Sequence, residues 1–392
     1  MKNVRKMVVC AAACVLMPPA YAAADGIELY GLFSAGVVHL RDAASMNSPD
    51  AVTSIADQPH NSNRWGLRGS EDLGGGLKAK FNLESSLSVR TGTAGRDATY
   101  VSPSGNPLFD REANVALESG QWGRLKLGRG KNFLYDTLDE FDARSNWNFA
   151  GLKPVARYSG FYGGSNVSRL DNMIRYSSPR MGGWVFDAAY SLGGNAGGAS
   201  RQSHWVAGAS YQAGAFELAY AHGELRLTCT VLNCVTAQAG DNVTERIDVL
   251  AAKYAHDDWS LHAGYARTRN PQQNVTNFNA SATRVDGRTS ADTWFVGARY
   301  KLSSAVAFNG AYYDVRDKVT PGGVDSLRMA SVGVVYRFSK RTEMFVDYAK
   351  VSRKDGAVAP FTLYDRMSFD GVSGSESTAS QSGLVLGVQH RF

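Results

Sequence analysis

The chain has little of what metal-dependent or nucleophilic enzymes are built around. Only four of its 392 residues are cysteine, and two of these, Cys10 and Cys14, sit in a short apolar run near the start. The seven histidines form no HExxH pair, and no GxSxG occurs, so hydrolytic chemistry has no local signature. His222 and Glu224 could imitate a catalytic pair at one rim, but a hydrogen-bonded rim histidine is the simpler reading. No catalytic residue, no metal ligand and no cofactor is expected. Beyond residue 24 no window offers eighteen apolar residues, which excludes a helical membrane span.

Charge of one sign is also scarce. Lys2, Arg5 and Lys6, the apolar run Met7 to Leu16 and the small residues Ala20 to Ala24 read as a cleaved secretory signal, residues 1–24. Its removal takes three of the 42 basic residues and none of the 36 acidic ones, leaving a net charge of about +3. A nucleic-acid partner is therefore not implied. The two remaining cysteines, Cys229 and Cys234, lie close together between strand candidates. In an oxidising compartment they are a candidate disulfide.

What the chain does have is alternation. Leu77, Ala79, Phe81 and Leu83 oppose Lys78, Lys80, Asn82 and Glu84. Trp259, Leu261, Ala263 and Tyr265 share a face, as do Trp294, Val296, Ala298 and Tyr300. Leu384, Leu386, Val388, His390 and Phe392 form the last such segment. A period of two sustained over so many segments predicts strands. Trp and Tyr stand at both ends of the apolar faces, with small aliphatics between, as at the two interfaces of a membrane. Short connections (74–76, 213–214, 256–258) alternate with long polar ones (41–61, 226–243, 270–288, 353–380), as in an outer-membrane barrel. The expectation is an all-β protein: a single domain, residues 25–392, forming a transmembrane antiparallel barrel of about sixteen strands with an aqueous lumen.

The stretch from Lys131 to Arg169 breaks the alternation and shows no helix-length apolar stripe. It carries Asp136, Asp139, Glu140 and Asp142, with eight aromatics interspersed. A connection that long and that aromatic reads as a loop folded inward onto the barrel wall, presenting acids to the lumen. Parity gives it a basic counterpart. If Trp65 and Leu67 meet lipid, Arg64 and Arg68 face the lumen, and Arg175 likewise opposes Ile174 and Tyr176. Arg111 is harder to place, because Ala113, Val115 and Leu117 share its parity. It reaches the lumen only on the assumption that the infolded loop covers an apolar inner face there.

Several stretches resemble the general trimeric porins of Gram-negative outer membranes, above all the neisserial and β-proteobacterial branch. They are Leu29-Tyr30-Gly31, the run Ser62 to Ala79 (SNRWGLRGSEDLGGGLKA), Leu108-Phe109-Asp110-Arg111, Leu125-Lys126-Leu127-Gly128-Arg129, Ile174-Arg175-Tyr176-Ser177-Ser178-Pro179 and Gly387-Val388-Gln389-His390-Arg391-Phe392. The resemblance implies a sixteen-stranded homotrimeric barrel passing small hydrophilic solutes and ions by passive diffusion. It also implies a third external loop folded into the lumen against a cluster of arginines. On that pattern Arg64, Arg68, Arg111 and Arg175 form the basic wall of a constriction, and Asp136, Asp139 and Glu140 its acidic side. Phe392 is similar to the family's signal for the barrel-assembly machinery. Outer-membrane lipid and lipopolysaccharide would surround the barrel. Leu32 stands where the enterobacterial pattern has a basic residue, so one wall charge is absent or supplied from elsewhere. Lumen cations outnumber acids, which predicts weak anion preference. The alternatives are a channel specific for a small anionic nutrient, or an adhesive or structural outer-membrane barrel.

Overall fold

The computed structural model describes residues 26–42, 51–94, 107–159, 169–193, 203–228, 242–269, 288–319, 323–354, 363 and 380–392. The expected signal, residues 1–24, and both Cys229 and Cys234 lie outside them.

Seventeen strand segments join in one antiparallel sheet. They are β1 (Glu28–Arg41), β2 (Val52–Asp57), β3 (Arg64–Gly74), β4 (Leu77–Ser86), β5 (Glu112–Ser119) and β6 (Gly123–Lys131), then β7 (Arg169–Ser177), β8 (Trp184–Ser191), β9 (His204–Ala213), β10 (Phe216–Thr228), β11 (Asn242–His256) and β12 (Trp259–Arg269). The last five are β13 (Arg288–Lys301), β14 (Val306–Val319), β15 (Gly323–Arg337), β16 (Thr342–Lys354) and β17 (Ser380–Arg391). They fill sixteen positions, because β2 and β3 share one. Both pair with β1, from Ala35 opposite Asp57 and from Leu32 opposite Arg64 respectively. The connection expected over 41–61 thus contains a short strand, followed by an inward detour at residues 58–63. The first and last strands close the sheet, from Leu32 opposite Arg391 to Arg41 opposite Ser382, so neither is left as an edge. Phe392 extends this closure: its backbone exchanges two 3.1 Å hydrogen bonds with Gly31.

The sheet is inverted relative to a water-soluble protein. Val115, Leu261, Trp294, Val296, Val332 and Leu386 are each at least half exposed on its outer face. An apolar band of this kind, with aromatic residues at both margins, fits lipid and not water. Side chains of opposite parity point inward, and against them packs the segment between β6 and β7.

That segment contains two helices, α1 (Phe133–Phe141) and α2 (Leu152–Ser159), where the sequence showed no helix-length stripe. The stripe exists but is short: Phe133, Leu134, Thr137, Leu138 and Phe141 are all buried. Asn132 caps α1 by accepting from the Tyr135 amide at 3.1 Å, and Asp136 in the first turn suits the positive end of the helix dipole. A helix of nine residues is marginal alone in water, so its stability comes from the wall it covers. Each buried large apolar side chain contributes about 1.5–3 kcal/mol. The wall is hollowed to receive it, since a Cβ on Gly208 would stand 2.5 Å from the Phe133 ring.

Candidate functional site

Beyond α1, residues 142–150 are pinned to the inner wall of β13 to β17. Arg299 on β13 donates to the Ala143 carbonyl at 2.7 Å and to the Asp142 carbonyl at 2.8 Å. The Tyr313 hydroxyl on β14 donates to Asp142 at 2.7 Å. Asp347 on β16 meets Arg144 at 2.9 Å through one carboxylate oxygen and His60 at 2.6 Å through the other. All three side chains are fully buried. The His60 ring lies between Trp147 and Phe345, with centroids 3.5 and 3.4 Å away. His60 belongs to the 58–63 detour, whose carbonyls at Pro59 and His60 accept from Phe149 and Asn148 at 2.8 and 3.0 Å. The detour and the segment after α1 therefore brace one another. Gly333 makes room for this junction, because a Cβ there would run into Asp347 and Arg144.

On the opposite side the wall is basic. Strand alternation places Arg64 and Arg68 on the inner face of β3, as their parity against Trp65 and Leu67 predicted. Arg64 lies 3.5 Å from Glu84, and the Tyr30 hydroxyl donates to the same carboxylate at 3.0 Å. Arg111 completes this group, 2.5 Å from Glu84. The supposed apolar inner face on β5 does not exist: Val115 and Leu117 belong to the outer band, more than 40% exposed. β5 begins only at Glu112, so Arg111 precedes the strand, escapes its alternation and turns inward from the bend at 108–111. Arg68 makes a two-pronged 2.8 Å contact with Glu28 and lies over the Tyr30 ring.

Arg175 connects wall and helix. It grips Asp187 at 2.9–3.0 Å, donates to the Lys131 carbonyl at 2.8 Å and reaches Asp136 on α1 at 2.7 Å. Asp139 meets Lys131 at 2.8 Å and accepts from Asn146 at 2.9 Å, a tether within the segment. Glu140 is not brought to the arginines. It pairs with Lys253 on β11, which also holds Glu217 at 3.0 Å. Asp136 alone of the three acids shares a cavity with the basic wall. Asp136→Asn should keep Arg175 seated on Asp187 while freeing α1. The expected result is a folded barrel with faster proteolysis of the 132–159 segment, read by timed digestion.

That cavity measures about 510 Å³. Its lining carries eight cations, Arg64, Arg68, Arg111, Arg124, Lys126, Lys131, Arg175 and Arg391, against four acids, Glu28, Glu84, Glu112 and Asp136. Leu32 also lines it without charge, and Arg391 on β17, directly opposite in register, supplies a cation to the same wall. Burial and Asp139 oppose ionisation of Tyr135, yet Lys153, Lys131 and Arg169 outweigh them and hold the phenol below its ordinary range. The local potential is positive. Glu84 and Asp187 were on the polar faces of their strands and could have been found by parity. His60 and Asp347 stand 287 positions apart and give no such signal.

Comparison with known proteins agrees with this architecture. A family profile described as Gram-negative porin matches residues 10–356. An outer membrane porin protein of Bordetella pertussis is 27% identical over 404 residues, covering 94% of this chain and 95% of that one. A major outer membrane protein P.IB of Neisseria meningitidis is 27% identical over 333 residues, covering 84% and 88%. Among solved structures, the anion-selective porin from Comamonas acidovorans superposes with a TM-score of 0.74 at 20% identity, over 94% of this chain and 99% of that one. The trimer form of OmpT, an outer membrane protein of Vibrio cholerae, gives 0.63 at 14% identity, over 94% and 99%.

Proposed function

The chain belongs to the Gram-negative porin family, and from that premise we propose that solutes cross it between helix α1 and the basic inner wall. It is an outer-membrane barrel forming a channel for passive diffusion of small hydrophilic solutes, with no enzymatic role. The segment between β6 and β7 acts as the third external loop, folded into the lumen and narrowing it. Arg64, Arg68 and Arg111 line the wall across the gap from α1, and Arg175 bounds the gap where it bridges to Asp136. Asp139 holds the loop in place through Lys131, and Glu140, one turn along α1 from Asp136, does so through Lys253.

The observation that carries this reading is the charge of the cavity, eight cations against four acids, with Arg175 bridging to Asp136. Opposed charges across a narrow gap make a transverse field in which polar solutes keep their hydrogen bonds. The cationic surplus favours anions. The structural relative from Comamonas acidovorans is described as anion-selective, which supports the same sign. The trimer form of the Vibrio cholerae relative supports a homotrimer. In this reading residues 1–24 are a cleaved export signal, Phe392 is read by the barrel-assembly machinery, and lipid with lipopolysaccharide surrounds the trimer.

The test is insertion of purified protein into a planar bilayer. Conductance should rise in three equal sublevels and stay linear in salt. Under a KCl gradient the reversal potential should take the sign of chloride preference. Conductance that saturates with one anionic solute would favour a substrate-specific channel, and a sealed lumen would favour an adhesive barrel.

A further inference from the structure

The sequence pattern marks residues 353–380 as a long polar connection, yet Leu363 within it is wholly buried. Its carbonyl accepts from the Ala150 amide at 2.8 Å, and its own amide donates to Gln381, a buried residue of β17, at 2.9 Å. Leu363 belongs to the same buried apolar cluster as Phe149, Ala150 and Leu40. Gly383 keeps that corner open, since a Cβ there would stand 2.5 Å from Leu40 and 3.2 Å from Phe149. Leu363 therefore touches down inside the barrel, with both backbone groups paired and its side chain out of water.

What it touches is strained. Ser145, Asn146 and Ala150 each have a φ of 52°, in the left-handed region that a Cβ disfavours. Two of the three carry polar side chains that hold them there. The Ser145 hydroxyl accepts from Arg299 at 2.7 Å, and the Asn146 side chain donates to Asp139 at 2.9 Å. Ala150 has no such handle, and its amide is held by the Leu363 carbonyl. The turn that contains these residues is closed at its base, where the Leu152 amide donates to Asp142 at 3.0 Å. It directly follows α1, whose Asp136 borders the cavity.

We propose that Leu363 is a positioning residue for the channel: it holds Ala150 in its left-handed conformation and so fixes the turn that seats α1 against the wall. Being wholly buried, it touches no solute and acts through the loop. The inference rests on the reading of the segment between β6 and β7 as the loop that narrows the lumen.

The experiment uses the purified full chain. In Leu363→Ala, hydrogen exchange of peptides spanning Ala150, followed by mass spectrometry, should be about tenfold or more faster than in wild type. Its single-channel current should fluctuate between sublevels where wild type is steady. Leu363→Met, which conserves volume, should behave as wild type. Ala150→Gly separates conformation from packing, because glycine adopts a positive φ without steric cost. Added to Leu363→Ala, it should restore steady current. A heat-modifiable band should show the barrel folded throughout. Should the alanine variant fail to fold, Gln381→Leu removes the acceptor of the Leu363 amide, keeps the bulk and carries the same readouts. Wild-type exchange and steady current in Leu363→Ala would overturn the proposal. So would an unsteady channel that Ala150→Gly leaves unsteady, since the loss would then be one of packing and not of backbone conformation. Faster exchange at Ala150 in a protein whose wild type forms no channel would refute the porin reading while leaving the hold of Leu363 on Ala150 standing.

Discussion

Replacing Arg68 and Arg124 together with glutamate brings the reversal potential under a KCl gradient close to zero. The cavity has four more cations than acids, and two reversals remove that surplus entirely. These two are the clean probes because their side chains are 54% and 38% exposed, with Glu28 and Glu118 as surface partners. Exposed pairs of this kind contribute about 0–1 kcal/mol, so the fold is unaffected. Arg111 is a poor probe: it is buried on Glu84 at 2.5 Å, and Arg64 is the other arginine on that carboxylate, at 3.5 Å. Its removal would confound selectivity with stability. A double variant that keeps the wild-type reversal potential would show that the field is set elsewhere.

The second large effect is expected at Asp347. Asp347→Asn leaves Arg144, wholly buried, without its counter-charge, and strips His60 of its anionic partner. Breaking a buried pair from one side costs about 3–5 kcal/mol. The loss falls on the junction of the loop with the 58–63 detour, while the barrel retains its own ladder of hydrogen bonds. The variant should still run as a heat-modifiable folded band. Its loop should be cleaved at much lower protease doses, and its single-channel trace should flicker. Arg144→Met/Asp347→Leu removes both charges and should be milder than either single change. Equal damage in the double variant would mean that packing, not charge, holds the loop.

The barrel was legible because lipid outside and water inside impose opposite polarities on alternate residues. That rule fixed the facing of Arg64, Arg68 and Arg175 without any tertiary information. It failed where the chain leaves the strand pattern. Arg111 lies one residue before β5, and counting it by strand parity placed an apolar face where none exists. α1 was overlooked because nine residues give a short periodic signal, and the wall that stabilises them is formed by distant strands. The short strand β2 is hidden because its six residues, with only Val52, Ile55 and Ala56 apolar, give too little alternation inside a mostly polar connection. Glu140 looked equivalent to Asp136, but four helical positions apart they meet different strands, β11 and β7. The Arg144–Asp347–His60 junction draws on three remote segments, and no local pattern marks it.

The most direct measurement concerns Asp136, in a background with the native cysteines replaced by serine. Asp136→Cys is inserted in a bilayer and treated with a negatively charged methanethiosulfonate, then separately with a positively charged one. If α1 borders the narrowest point, each reagent lowers single-channel conductance, and the two shift the reversal potential in opposite directions. Val332→Cys, on the outer face, serves as the control and should respond to neither. Unchanged conductance and selectivity after complete labelling of the Asp136→Cys variant would place the constriction elsewhere and contradict the account.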